Sequence, residues 1–66
     1  MKLMVNGEER ALDEPQSVLA FVASFGLEPS MVVVERNGEI LPRERYGATL
    51  LADGDVLEIV QMMAGG

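Results

Sequence analysis

Two Asn-Gly dipeptides, Asn6-Gly7 and Asn37-Gly38, constrain this chain more than any other feature. Each follows an extended run and precedes another, and Asn-Gly in that setting is the strongest short-range hairpin signal, because both central residues of a type I′ turn need positive φ. The first run, Lys2-Leu3-Met4-Val5, places Leu3 and Val5 on one face. Its return, Glu8 to Leu12, puts Arg10 and Leu12 on one face and Glu9 and Ala11 on the other, and is apolar enough only for an edge. The second hairpin begins with Met31 to Arg36, the most β-prone stretch of the chain, and is expected to be buried on at least one face. It returns through Glu39-Ile40-Leu41 and stops at Pro42, which has no N–H for a ladder and so suits an edge.

Between the hairpins the hydrophobic period changes. Asp13-Glu14-Pro15-Gln16 is a polar turn that delivers Ser17 as a helix N-cap, with the two acids upstream near the positive end of the helix dipole. Val18, Phe21, Val22 and Phe25 then fall at i, i+3, i+4 and i+7, the spacing of one apolar stripe on a helix that reaches about Phe25. Gly26 suits the left-handed position after a helix, and Leu27 is placed to pack back on Val22 in a Schellman arrangement. Leu19 falls off the stripe and reads as exposed. Glu28-Pro29-Ser30 reads as a loop, and Arg43-Glu44-Arg45-Tyr46 as a helical turn or loop. Asp53-Gly54-Asp55 is a polar turn ahead of a last strand from Val56 to about Gln61. In that strand Leu57 and Ile59 share the inward face, while Val56, Glu58 and Val60 share the other.

The order is hairpin, helix, hairpin, irregular crossover, strand. One short amphipathic helix cannot cover both faces of a sheet, so the sequence predicts a two-layer α+β domain with the helix across one face. This is the ubiquitin-like β-grasp arrangement, a mixed sheet of about five strands in which, by analogy, the last strand enters centrally beside the first. Residues 1–61 are expected to form that domain and residues 62–66 a flexible C-terminal tail, starting from the middle of the sheet.

Composition narrows the chemistry. The chain has no Cys and no His, so it offers no disulfide framework, no thiolate-held metal and no Ser-His or Cys-His nucleophile pair. Its 11 acidic residues are scattered, which reads as a solvated surface rather than an acid/base pair or a metal site. The expectation is a protein that is not an enzyme and binds no cofactor or metal. With five basic residues and a formal charge of −6, nucleic acid and anionic membranes are poor partners, and a basic docking face is a good one. Glu28, Glu39, Glu44, Asp53, Asp55 and Glu58 read as surface acids that steer such an encounter. No apolar run approaches the length of a membrane span and no signal-like segment opens the chain, so the reading is cytoplasmic.

The candidate functional residues lie in Met62-Met63-Ala64-Gly65-Gly66. Two glycines without Cβ can lie in a narrow channel, and they leave the final carboxylate unhindered. A carboxylate with a reference pKa of about 3.5 is ionised near neutral pH and must be activated, for instance as an acyl-adenylate, before a nucleophile attacks it. Gly-Gly alone is weak evidence, since frayed tails are common. If Leu57 and Ile59 face inward, Glu58, Val60 and Met62 lie on the side opposite the helix, and Val60 and Glu58 form a candidate docking face beside the reactive end.

With these residues in view, the whole chain resembles the ThiS family, the small ubiquitin-like sulfur carriers of bacterial thiamine biosynthesis. The likeness rests on Lys2-Leu3-Met4-Val5-Asn6-Gly7, Ser17-Val18, Val33-Val34-Glu35-Arg36-Asn37-Gly38-Glu39-Ile40, Pro42-Arg43-Glu44 with Tyr46, Asp53-Gly54-Asp55 and Gly65-Gly66. The resemblance implies that an E1-like adenylating enzyme uses ATP to charge the Gly66 carboxylate. Sulfur from a cysteine desulfurase route then makes a thiocarboxylate, which thiazole synthase consumes. Met62, Met63, Ala64 and Gly65 are the residues that thread into partner active sites. Without Cys the chain cannot hold sulfur as a side-chain persulfide, in keeping with a carrier that works through its terminus. Met62-Met63 departs from the aromatic or bulky aliphatic residues of many relatives. The rival readings are a carrier of the same fold for molybdopterin, cysteine or tRNA thiolation, and a ubiquitin-like protein modifier.

Overall fold

Both Asn-Gly turns form as the sequence predicts. In the computed structural model, which describes residues 1–62, Asn6 has φ 51° and Gly7 φ 82°, and Asn37 and Gly38 repeat the pattern at 53° and 87°. The first turn joins β1 (Lys2–Val5) to β2 (Glu8–Ala11), and the second joins β3 (Val32–Arg36) to β4 (Glu39–Ile40). The helix α1 (Val18–Ser24) lies between the hairpins, and β5 (Val56–Gln61) closes the order. The strands form one sheet in the order β2-β1-β5-β3-β4. β5 runs parallel to β1 and antiparallel to β3, so it is central, and β2 and β4 are the edges.

The core lies between α1 and one face of the sheet. Leu3 and Val5 of β1, Val32 and Val34 of β3 and Leu57 of β5 are buried against Val18, Phe21 and Val22 of the helix. Leu57 is wholly buried at the centre, where a side chain of its size contributes about 2 kcal/mol. Met4, Val56, Val60 and Ile40 are exposed, as the period of 2 requires for the uncovered face.

The helix start is fastened more fully than the N-cap alone foretold. Ser17 Oγ accepts the Ala20 N–H at 3.0 Å. The crossover after β4 passes beneath and supplies the rest: Val18 N–H donates to Thr49 O at 2.9 Å and Leu19 N–H to Tyr46 O at 3.0 Å. The first-turn donors that a helix leaves open are thereby satisfied. Tyr46, on a 3-10 turn at Arg43–Arg45, is itself buried and donates its hydroxyl to Val32 O at 3.2 Å, tying crossover to sheet.

Two expectations need correction at the ends of elements. Phe25 does not continue the buried stripe. The helix stops at Ser24, so Phe25 is its C-cap and stands 38% exposed, with its ring edge-on to Phe21 at 5.0 Å and the Arg10 guanidinium 4.8 Å above it. Gly26 takes the left-handed conformation (φ 74°), and its N–H reaches Ala23 O at 2.9 Å, which is the shorter of the two Schellman bonds. The Glu28 to Ser30 loop is instead a 3-10 turn, Pro29–Met31, which delays the start of β3 to Val32. Proline at its first position explains this, because the fixed φ is already helical.

Candidate functional site

The site builds outward from β5, the strand that leads to the tail. Met62 is the last described residue; its N–H donates to Met31 O at 2.7 Å, and its side chain is 39% exposed. Met63, Ala64, Gly65 and Gly66, which carry the rest of the sequence-predicted site, lie outside the described residues.

On the uncovered sheet face β5 presents Val56, Glu58 and Val60, with Val60 59% exposed. Their cross-strand partners are Met4 for Val56, Glu35 for Glu58 and Val33 for Val60. The face therefore carries an apolar strip beside a pair of opposed carboxylates. Lys2 and Glu9, which share it, pair at 3.8 Å while both remain well exposed, so that contact contributes little. Glu58 and Val60 come together on this face as the sequence reading expected.

One of the six acids read as surface is not on it. Asp55 is buried at 6% exposure. Its carboxylate accepts from Arg36 Nε at 3.0 Å, Asn37 Nδ2 at 3.0 Å and the Ala52 N–H at 2.8 Å. Burial pushes the Asp55 carboxyl up, but the Ala52 N–H, the Asn37 amide and the Arg36 guanidinium together hold it below its ordinary value. The Asp53-Gly54-Asp55 motif is a turn, as expected, yet Asp55 faces inward because the turn aims it at the second hairpin.

The sequence reading also passed over the side chains of both turn asparagines. Asn37 Oδ1 accepts the Val56 N–H at 2.9 Å, and its Nδ2 is the donor to Asp55. Asn6 Oδ1 accepts the Ile59 N–H at 2.8 Å while its Nδ2 donates to Ile59 O at 3.1 Å. No local sequence signal marks these bonds, since the turn already accounts for asparagine at both positions.

Among the described residues no group of three or more His, Cys, Asp or Glu is arranged to hold a metal ion. An open hollow of about 360 Å³ lies between the first hairpin and the helix end, lined in part by Glu8, Arg10, Phe25 and Gln61, with no nucleophile or base pair in it. No helix among the described residues is long and apolar enough to cross a membrane.

Comparison with known proteins agrees with this geometry. The pattern of the ThiS family matches residues 3–66. The sulfur carrier protein ThiS of Bacillus subtilis is 40% identical over 97% of this chain and 98% of its own length. A crystal structure of the thiamine biosynthesis protein ThiS from Geobacter metallireducens superposes with a TM-score of 0.83 at 38% identity, each chain covered in full. The thiazole synthase of Paramagnetospirillum magneticum is 44% identical over the whole of this chain, which spans only 20% of that relative's length.

Proposed function

The chain belongs to the ThiS family, the sulfur carriers of thiamine biosynthesis, and from that premise we propose that the sulfur travels on Gly66. An adenylating enzyme joins AMP from ATP to the Gly66 carboxylate with loss of pyrophosphate. A persulfide from a cysteine desulfurase route then displaces AMP, and a thiol reduces the resulting acyl disulfide, leaving a thiocarboxylate for the thiazole ring. The observation that carries this reading is a family match that runs through residue 66, so the Gly-Gly segment lies inside the family's pattern.

The fold supports it. A tail that follows the central strand of a five-stranded sheet starts from the best-braced part of the molecule. Thiazole synthase is the proposed acceptor, in keeping with the stretch like this chain found within a thiazole synthase. The Glu58 and Val60 face docks the adenylating enzyme, and Met62, Met63, Ala64 and Gly65 enter its channel. The chain acts as that enzyme's substrate and holds no cofactor of its own; the ATP supply fits a cytoplasmic carrier.

Intact mass after incubation with the cognate adenylating enzyme, ATP and a sulfur source tests the proposal. Wild type should gain the difference between one sulfur and one oxygen atom, and a variant lacking Gly66 should gain nothing. A deletion variant that acquires sulfur at the normal rate removes Gly66 from the mechanism.

A further inference from the structure

We propose that Asn6 is a positioning residue for the reaction of the C-terminal tail, an inference that rests on the activation of Gly66 proposed above. The argument begins with how β5 is bordered. On its β3 side the ladder is complete to the strand's end, with Val33 opposite Val60 and Val32 opposite Gln61. On its β1 side strand pairing stops at Val5 opposite Leu57, because the chain turns away at Asn6-Gly7. The last main-chain bond there is from Asn6 N–H to Leu57 O, at 2.9 Å.

Beyond Leu57, that edge of β5 has one hydrogen-bonding partner among the described residues. The Asn6 side-chain amide takes both polar groups of Ile59, donating to its carbonyl at 3.1 Å and accepting from its N–H at 2.8 Å. A primary amide carries a donor and an acceptor side by side, as a strand residue does. Asn6 therefore substitutes for the strand residue that the turn removed, and it does so just ahead of the tail. Aspartate lacks the donor and glycine lacks both groups, although both tolerate the turn.

The consequence is directional. Without the amide, the final residues of β5 are held from one side only, and the direction in which the chain leaves the sheet broadens. Presentation of a reactive end depends steeply on orientation. Docking through the open face uses Val60 and Glu58, whose β3 partners are unaffected.

Asn6→Gly and Asn37→Gly provide the test, because both keep a turn that accepts positive φ and both remove two side-chain hydrogen bonds from a neighbour of β5. The readouts are steady-state pyrophosphate release by the cognate adenylating enzyme and hydrogen exchange at the Ile59 amide of the free protein. Asn6→Gly is expected to lower kcat roughly tenfold with KM within about twofold, and to speed Ile59 exchange. Asn37→Gly is expected to lower thermal stability at least as much and leave kcat within about twofold. Normal kcat in Asn6→Gly, or an equal loss in Asn37→Gly, overturns the proposal. Wild type that releases no pyrophosphate and gains no mass brings down the activation reading, and the role of Asn6 with it; a charged wild type matched by Asn6→Gly brings down the role of Asn6 alone.

Discussion

The two ends of β5 are held by the same dipeptide used in two ways. At the entry, Asn37 joins a cluster in which Asp55, Arg36 and the Ala52 N–H all participate. Near the exit, Asn6 meets main chain alone, with one neutral amide against the N–H and C=O of a single residue, Ile59. The entry is charged and centred on the buried Asp55, with several contacts sharing the load, whereas on its β1 side the exit depends on a single side chain. Separating a buried carboxylate from its donors, or leaving those donors unmatched, is costly, and a neutral hydrogen bond is worth about 1 kcal/mol. The arrangement teaches that a central strand can be rigidly founded at one end and lightly fastened along one edge at the other.

The largest effect should come from breaking the entry. Asp55→Ala leaves the Ala52 N–H, the Asn37 amide and the Arg36 guanidinium without their acceptor, and should destabilise the fold by about 3 kcal/mol. A urea titration measures this as a lowered midpoint with little change in slope. A loss no greater than that of Asn6→Gly would erase the distinction between the ends.

Acid should act on the same end. The folded Asp55 carboxyl lies below its ordinary value of 3.8, so between the folded and unfolded values the unfolded chain binds more protons and stability rises with pH. Asp55's contribution is therefore fully present above about pH 4, and is lost as pH falls through its folded value. Asp55→Asn, which titrates nowhere, should show a flatter stability profile in that window. Parallel profiles for wild type and variant would mean that the cluster does not hold the carboxyl down.

Next in size are the asparagines themselves. Asn37→Gly should cost about 2 kcal/mol and Asn6→Gly about 1 kcal/mol, since only the former also robs a buried carboxylate of a donor, and glycine adds unfolded-state entropy to both. Chemical denaturation of the pair ranks them, and the reverse order would contradict the reading of the entry as the stronger anchor.

Elements governed by local signals were legible in the sequence. Asn-Gly set both hairpins, the spacing of Val18, Phe21 and Val22 set the helix's buried face, and alternation set which side chains of β5 point inward. Where tertiary contact decides, the sequence was silent. Phe25 has the right spacing for the core, but the helix ends one residue too soon. Asp55 looks like any turn acid until the second hairpin brings Arg36 and Asn37 to it. The crossover from Pro42 to Leu51 has no period, yet it buries Tyr46 and satisfies the helix start. For the candidate site, Val60 and Glu58 were readable from alternation alone, whereas the Asn6 amide bond to Ile59 joins positions 53 apart in the chain, beyond the reach of any local pattern.

The smallest expected effect lies between the two ends, where β5 carries its least favourable contact. Glu58 stands directly opposite Glu35 on the uncovered face, and like charges directly opposite each other destabilise a sheet. Glu58→Gln removes the repulsion and keeps the shape, so it should stabilise the fold by about 0.3 kcal/mol at low ionic strength. Salt shortens the Debye length from about 10 Å at 0.1 M to about 3 Å at 1 M, so the gain should shrink as salt is added. The same change should weaken docking to a basic partner face, because it removes one of the paired charges that face would meet. Thermal unfolding at two salt concentrations, alongside a binding titration with the adenylating enzyme, separates the two consequences. A variant that gains stability but binds equally well would mean that the carboxylate pair is a defect of the strand rather than part of its docking surface.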